Sequence, residues 1–205
     1  MRHAGVISLL LQYPSAETVR ARDELAHGLS RSRGAAAASV RSFAERTEGV
    51  PLAELQRSYV TTFDFDARAS LHLTYHLYGD QRRRGEALIA LKRRYAEHGL
   101  RLEEGAELPD YLPVVLEFAE LAPDGAGRRL LTELREPLEL VRGRLRELES
   151  PYVALLDAVV GQLPRLSGRQ RERLADLAAE GPPTELVGLE PVAAPSARPP
   201  AEAEP

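Results

Sequence analysis

The sequence predicts an all-α fold: a single helical domain over residues 1–182, followed by a flexible tail over 183–205. Three observations carry that expectation. Apolar residues recur at spacings of three and four in segment after segment, the period of a helix with one buried face, and no segment reads as an alternating strand. Glycine, proline, serine and aspartate fall where helices of ordinary length would start and stop. From Pro182 the composition turns to proline, alanine and glutamate, with too few apolar side chains to offset the entropy of ordering.

In chain order, Val6, Ile7 and Leu9–Leu11 form a short apolar helix stopped near Pro14, because a proline disfavours helix in the residue before it. Ser15 caps a second helix with Val19, Leu25 and Leu29 inward and Arg20, Arg22, Asp23 and Glu24 outward, ending by Gly34. An alanine-rich helix covers 35–46. After Gly49 and Pro51, Leu52, Leu55, Tyr59 and Phe63 make one buried stripe.

Residues 65–69 connect to a helix that Ser70 would cap, holding Leu71, Leu73, Tyr75, Leu77 and Tyr78. Gly79 ends it, and Asp80 caps the next, whose inner face is Leu88, Leu91 and Tyr95. Gly99 and Leu100 have the form of a Schellman stop. An acidic loop then leads to a helix capped by Asp110, with Pro113 in its first turn and Val114, Val115, Leu116, Phe118 and Leu121 beyond. The stripe from Leu130 to Leu148 contains Pro137, which predicts a kink or two shorter helices. Ser150 and Pro151 open another helix, and Ser167 with Gln170 makes a capping box for the last, ending at Gly181.

Composition narrows the chemistry. The 205 residues include no cysteine, which excludes disulfides, thiolate metal sites and a thiol nucleophile. A net charge of −4 gives no bulk attraction for nucleic acid or anionic lipid, and no apolar run approaches the roughly 20 residues that span a bilayer. The chain reads as cytoplasmic.

Few motifs suggest catalysis. His72 and His76, four apart, would stack on one helix face and allow a metal-dependent helical enzyme, but no second ligand cluster accompanies them. The pairs Asp64/Asp66 and Glu117/Glu120 are ordinary for an acidic helical protein, and no phosphate-binding loop or nucleophile elbow is present. The basic faces Arg82–Arg84 and Lys92–Arg94 read as solvated. What remains is a set of aromatic residues, Tyr59, Phe63, Phe65, Tyr75 and Tyr78, around a mid-chain corner and an acidic segment, which is the inventory of a binding module.

Several stretches together resemble a known family. LLLQYP at 9–14, YVTTFDF at 59–65, LHLTYHLYGDQRRRGEAL at 71–88, the leucine, lysine and tyrosine of LKRRY at 91–95, and ELPDYLPVVLEFAEL at 107–121 are similar, in order and spacing, to the NarJ family of nitrate reductase molybdenum cofactor assembly chaperones, within the TorD-like group. Beyond residue 122 the likeness is one of helical character and length. Glu190-Pro191-Val192 is similar to a late family motif but lacks the Phe-Gly that commonly follows.

The resemblance implies a TorD-like helical bundle without catalytic activity or a cofactor of its own. It implies a chaperone that binds the apo catalytic (alpha) subunit of respiratory nitrate reductase through its N-terminal segment, keeping it competent for molybdenum cofactor insertion and membrane assembly. A TorD-like chaperone for a different molybdoenzyme is the alternative. For recognition we expect an amphipathic leader segment to lie against Tyr75, Tyr78, Tyr111 and Phe118, with Asp80, Asp110, Glu117 and Glu120 pairing its basic residues and Arg84 an acidic one. The same groove suits a second copy of the chain, so a homodimer stands beside the partner reading.

Overall fold

The computed structural model describes residues 1, 3–103 and 105–180. Among them the chain is helical, and its one extended pairing is an isolated antiparallel bridge between His72 and Tyr111. The flexible-tail expectation and the predicted end at Gly181 lie outside the described residues.

The helices are α1 (Ala4–Leu10), α2 (Ala16–Gly28), α3 (Ala35–Thr47), α4 (Leu52–Tyr59), α5 (Tyr75–Tyr78), α6 (Arg82–Glu97), α7 (Leu112–Leu121), α8 (Ala126–Glu133), α9 (Arg135–Glu147), α10 (Val153–Val160) and α11 (Gly168–Glu180). The local signals read from sequence explain many of their ends. Ser15 and Thr18 form a reciprocal capping box: the Thr18 amide donates to Ser15 Oγ at 3.1 Å and the Ser15 amide to Thr18 Oγ1 at 2.7 Å. Ser167 and Gln170 repeat it at α11. At Gly99, with φ 78°, the Leu100 amide bonds back to the Tyr95 carbonyl at 2.9 Å, and Leu100 packs on the core as a Schellman stop requires.

The core is built on two strongly apolar helices, α7 and α10. α7 is flanked by α1 and α8, and α10 packs on α3 and α9. A cluster of aromatic rings, Phe43, Tyr59, Phe63 and Tyr152, fills the α3–α4–α10 junction at centroid separations of 4.7 to 5.8 Å. Tyr95 and Phe118 stack at 4.6 Å beneath α6.

Several local expectations are corrected. Helix does not run from Leu71 to Tyr78; only Tyr75–Tyr78 is helical. The Leu73 amide donates to the Asp110 carbonyl at 3.0 Å and the Leu112 amide to the Leu71 carbonyl at 2.8 Å, so this backbone is spent on a distant segment. Ser70 therefore caps no helix, and its Oγ accepts from the His72 amide instead. Asp80 and Asp110 do not cap α6 and α7, whose N-cap positions are Gln81 and Tyr111.

α4 passes into a π-helical turn over Val60–Asp64, closed by the Phe65 amide on the Val60 carbonyl. Phe63 stays in the core while Phe65 is left 81% exposed. α2 stops at Gly28 rather than Gly34, and Arg22 points inward, donating to the Thr47 carbonyl at 2.7 Å. Two helices do replace one around Pro137, but they part at Leu134, which leaves the proline in the first turn of α9, where a missing amide costs nothing.

Candidate functional site

The bridge between His72 and Tyr111 positions the site, because it brings the turn before α5 against the start of α7. Between them sits the Asp110 carboxylate, which is fully buried. It accepts hydrogen bonds from the Thr74 amide at 3.2 Å and the Thr74 hydroxyl at 2.5 Å, and His72 Nδ1 lies 3.3 Å from its other oxygen. The Arg84 guanidinium approaches to 3.6 Å from the first turn of α6. Burial alone would push the Asp110 carboxyl up, but the hydrogen bonds from His72 and Thr74, helped by the nearby imidazole and guanidinium, hold it below its ordinary value.

Arg84 joins this buried anchor to the surface. Its guanidinium lies 5.6 Å from the Tyr75 ring centre and 3.9 Å from Asp80, while its Nε is buried with no hydrogen-bond partner among the described residues. Gly79 turns the chain here with φ 54° and ψ −135°, a conformation open to glycine. Asp80 is consequently held out in solvent, its side chain 72% exposed. Beside the corner, Leu77 and Tyr78 line an open cleft of about 230 Å³ with Ala87, Ala90, Leu130 and Leu134, and the Arg94–Glu133 ion pair at 2.6 Å edges it.

The structure thus gathers Tyr75, Asp80, Arg84 and Asp110 at one corner, with Tyr78 in the adjoining cleft. Tyr111 is tied in through His72, whose ring lies 5.3 Å from its own, and its hydroxyl meets that of Tyr59 at 3.0 Å. Three expected residues lie elsewhere. Phe118 is 3% exposed and packs on Tyr95, so the four aromatic residues form no continuous surface. Glu117 and Glu120 turn toward α1, accepting from the Ser8 hydroxyl at 3.2 Å and the Gly5 amide at 3.4 Å. Asp110 is an internal anchor with its donors already in place, not a free surface charge.

The histidines do not share a helix face, because His72 is not helical. His76 is buried with Nε2 2.8 Å from the Ser70 carbonyl, and no group of three acidic or histidine side chains able to hold a metal occurs among the described residues. Asp66 caps a short 3-10 turn and pairs with Arg144 at 2.6 Å, away from Asp64. Sequence reasoning passed over Thr74, the main clamp on Asp110. The signal was present in Leu71-His72-Leu73-Thr74, a short apolar–polar alternation typical of extended chain.

A family model described as nitrate reductase delta subunit matches residues 26–158. The nitrate reductase molybdenum cofactor assembly chaperone NarJ of Escherichia coli K12 is 30% identical over 187 residues, covering 88% of this chain and 78% of that protein. This chain belongs to the NarJ family. The protein of E. coli K12 named "probable nitrate reductase molybdenum cofactor assembly chaperone NarW" is 32% identical over 160 residues, 78% of this chain and 67% of its own length. The nitrate reductase-like protein NarX of Mycobacterium tuberculosis H37Rv is 39% identical over 153 residues, 74% of this chain but only 23% of its own length. The NarJ family match runs from within α2 to within α10 and so includes the corner, the bridge and the cleft. No helix among the described residues is long and apolar enough to cross a membrane.

Proposed function

We propose that this protein is a non-catalytic cytoplasmic chaperone for the apo catalytic (alpha) subunit of respiratory nitrate reductase. It binds that subunit's N-terminal segment and keeps the enzyme competent for molybdenum cofactor insertion and membrane assembly, without holding the cofactor itself. The observation that carries the reading is the likeness to NarJ over 88% of this chain and 78% of that protein. The site's chemistry fits it. A rigid anchor built on Asp110 holds partly buried aromatic rings, one outward carboxylate and one guanidinium around an apolar cleft, which suits an amphipathic helix laid into a groove.

The recognition residues in this reading are Tyr75, Tyr78, Asp80 and Arg84, with Tyr111 at the far edge and Asp110 holding them in place. Calorimetric titration with a synthetic N-terminal segment of the alpha subunit tests it. Tyr78→Ala and Asp80→Arg should each weaken binding by about tenfold, a loss in the range of one interface anchor. Unchanged affinity in both variants, with native circular dichroism, would sink the corner as the binding site. Co-purification from nitrate-grown anaerobic cells identifies the client. Recovery of a different molybdoenzyme in place of the nitrate reductase alpha subunit would establish the alternative chaperone.

A further inference from the structure

On the other side of His72 from the corner lies a second concavity of about 290 Å³. Its walls are aromatic: Tyr13 meets Tyr59 edge-on at 5.6 Å, Tyr59 packs on Phe63 at 4.7 Å, and the Tyr59 and Tyr111 hydroxyls meet at 3.0 Å. Two carboxylates, Asp64 and Glu107, stand at its mouth, both exposed and neither in an ion pair among the described residues. Asp64 reaches this position because the π-helical turn at the end of α4 rotates it away from the core while leaving Phe63 inside. We propose that this cup receives a lysine or arginine side chain of a bound polypeptide, between the faces of Tyr13 and Tyr111 and the carboxylates of Asp64 and Glu107.

The chemistry selects a cation. Aromatic rings present negative faces to a positive group, and two uncompensated carboxylates add a field of the same sense. The Tyr111 hydroxyl registers that field: burial pushes its pKa up, the bond with Tyr59 draws it down, and the charges of Glu107 and Asp64 push it up again. Both carboxylates therefore act on the same wall of the cup. Anionic groups are disfavoured there, and a purely apolar side chain would leave the acids without partners. Tyr13, half exposed, is free to close over an incoming side chain.

A side chain rather than a free cation fits the position, because the wall of the cup is tied to the corner through the buried Asp110. The line runs from Tyr75 through Arg84, Asp110 and His72 to Tyr111 in successive contacts of 5.6, 3.6, 3.3 and 5.3 Å. A segment that reaches both openings puts an anchor in the Tyr78 cleft and a cation in the cup, whose spacing those interior contacts hold fixed. The inference rests on the proposed function in taking the segment to be the alpha subunit's N-terminus.

The test titrates the full chain and its Asp64→Asn/Glu107→Gln variant with two synthetic peptides: the alpha-subunit N-terminal segment, and the same segment with every lysine and arginine replaced by glutamine. The variant should bind the native peptide about tenfold more weakly, with the gap closing at high salt, and both proteins should bind the neutral peptide equally. Tyr13→Leu should show part of the same loss. Both carboxylates are exposed, so the variant folds, which circular dichroism checks. Equal affinity of wild type and variant for the native peptide overturns the cup while leaving the chaperone reading standing. Failure of the wild type to bind the native peptide, together with failure to capture the intact apo alpha subunit, overturns both. Saturable submillimolar binding of arginine amide alone overturns the assignment to a polypeptide side chain.

Discussion

Asp110 and His76 are the residues whose surroundings make the sharpest statements. Asp110 is buried among donors, so Asp110→Asn removes a charge the site is built around and sets an amide against the Thr74 groups. The expected loss of stability is about 2–4 kcal/mol at neutral pH, measured by urea unfolding. Its folded pKa is depressed, so this stabilisation is complete above the ordinary value of about 3.9 and fades as pH falls through the folded value. Wild type and variant should therefore differ by a constant amount from about pH 5 upward and converge in acid. His76 carries the opposite kind of sensitivity. Burial lowers its pKa despite the bond to Ser70, so below about pH 6.5 the unfolded chain binds a proton that the folded chain refuses. The wild type should thus lose stability between about pH 7 and 5, by at most about 1.4 kcal/mol per pH unit from this group, and His76→Gln should flatten that slope. A slope unchanged by the substitution would contradict the assignment.

At the scale of the element, two glycines on neighbouring helices predict opposite outcomes for the same substitution. Gly127 in α8 lies against α7 so closely that an added Cβ would overlap the Ala119 Cα and fall 2.9 Å from its backbone nitrogen. Gly127→Ala should force the two helices apart and cost more than about 3 kcal/mol. Gly143, inside α9, faces open space. Gly143→Ala should stabilise by about 0.4–1 kcal/mol, because alanine has less freedom to lose in a helix. Thermal unfolding of the pair checks both signs.

The same scale shows what the sequence could reveal. Ser15 with Thr18, Ser167 with Gln170, and Gly99 with Leu100 were legible because each cap is completed within a few residues of itself. The core roles of Tyr59 and Phe63 followed from periodicity. The Leu71–Thr74 turn reads as helix from sequence because its hydrogen-bond partners are at Asp110 and beyond, and no local window contains them. Charge alone points Arg22 outward, whereas the Thr47 carbonyl, distant in sequence, draws it in. In the site, the residue types at the corner were legible, but the separation of Phe118, Glu117 and Glu120 from it depends on which way α7 is rotated, and an almost uniformly apolar helix does not declare that.

For the whole molecule, the arrangement is that of a scaffold presenting a surface. His72 and His76 are each committed to internal partners, so a chelator should leave the unfolding temperature unchanged, and elemental analysis should find no stoichiometric metal. Metal retained by the wild type and lost in His72→Ala would restore the enzyme reading. Membership of the NarJ family and the all-helical fold agree with the motifs spread over residues 9–121, while the partner, its N-terminal segment and the cytoplasmic setting rest on the proposal.

The bridge between His72 and Tyr111 also governs how this protein can vary. α6 and the acidic loop after it leave from one side of the bridge and return to the other, like a bight of rope whose two ends are seized together. The loop after Gly99 is bounded by the Schellman stop at one end and the bridge at the other, so residues added within it change its reach without shifting the register of the walls it joins. Loop length between Gly99 and Glu107 is therefore a dial that can be turned while the two walls seized by the bridge keep their spacing.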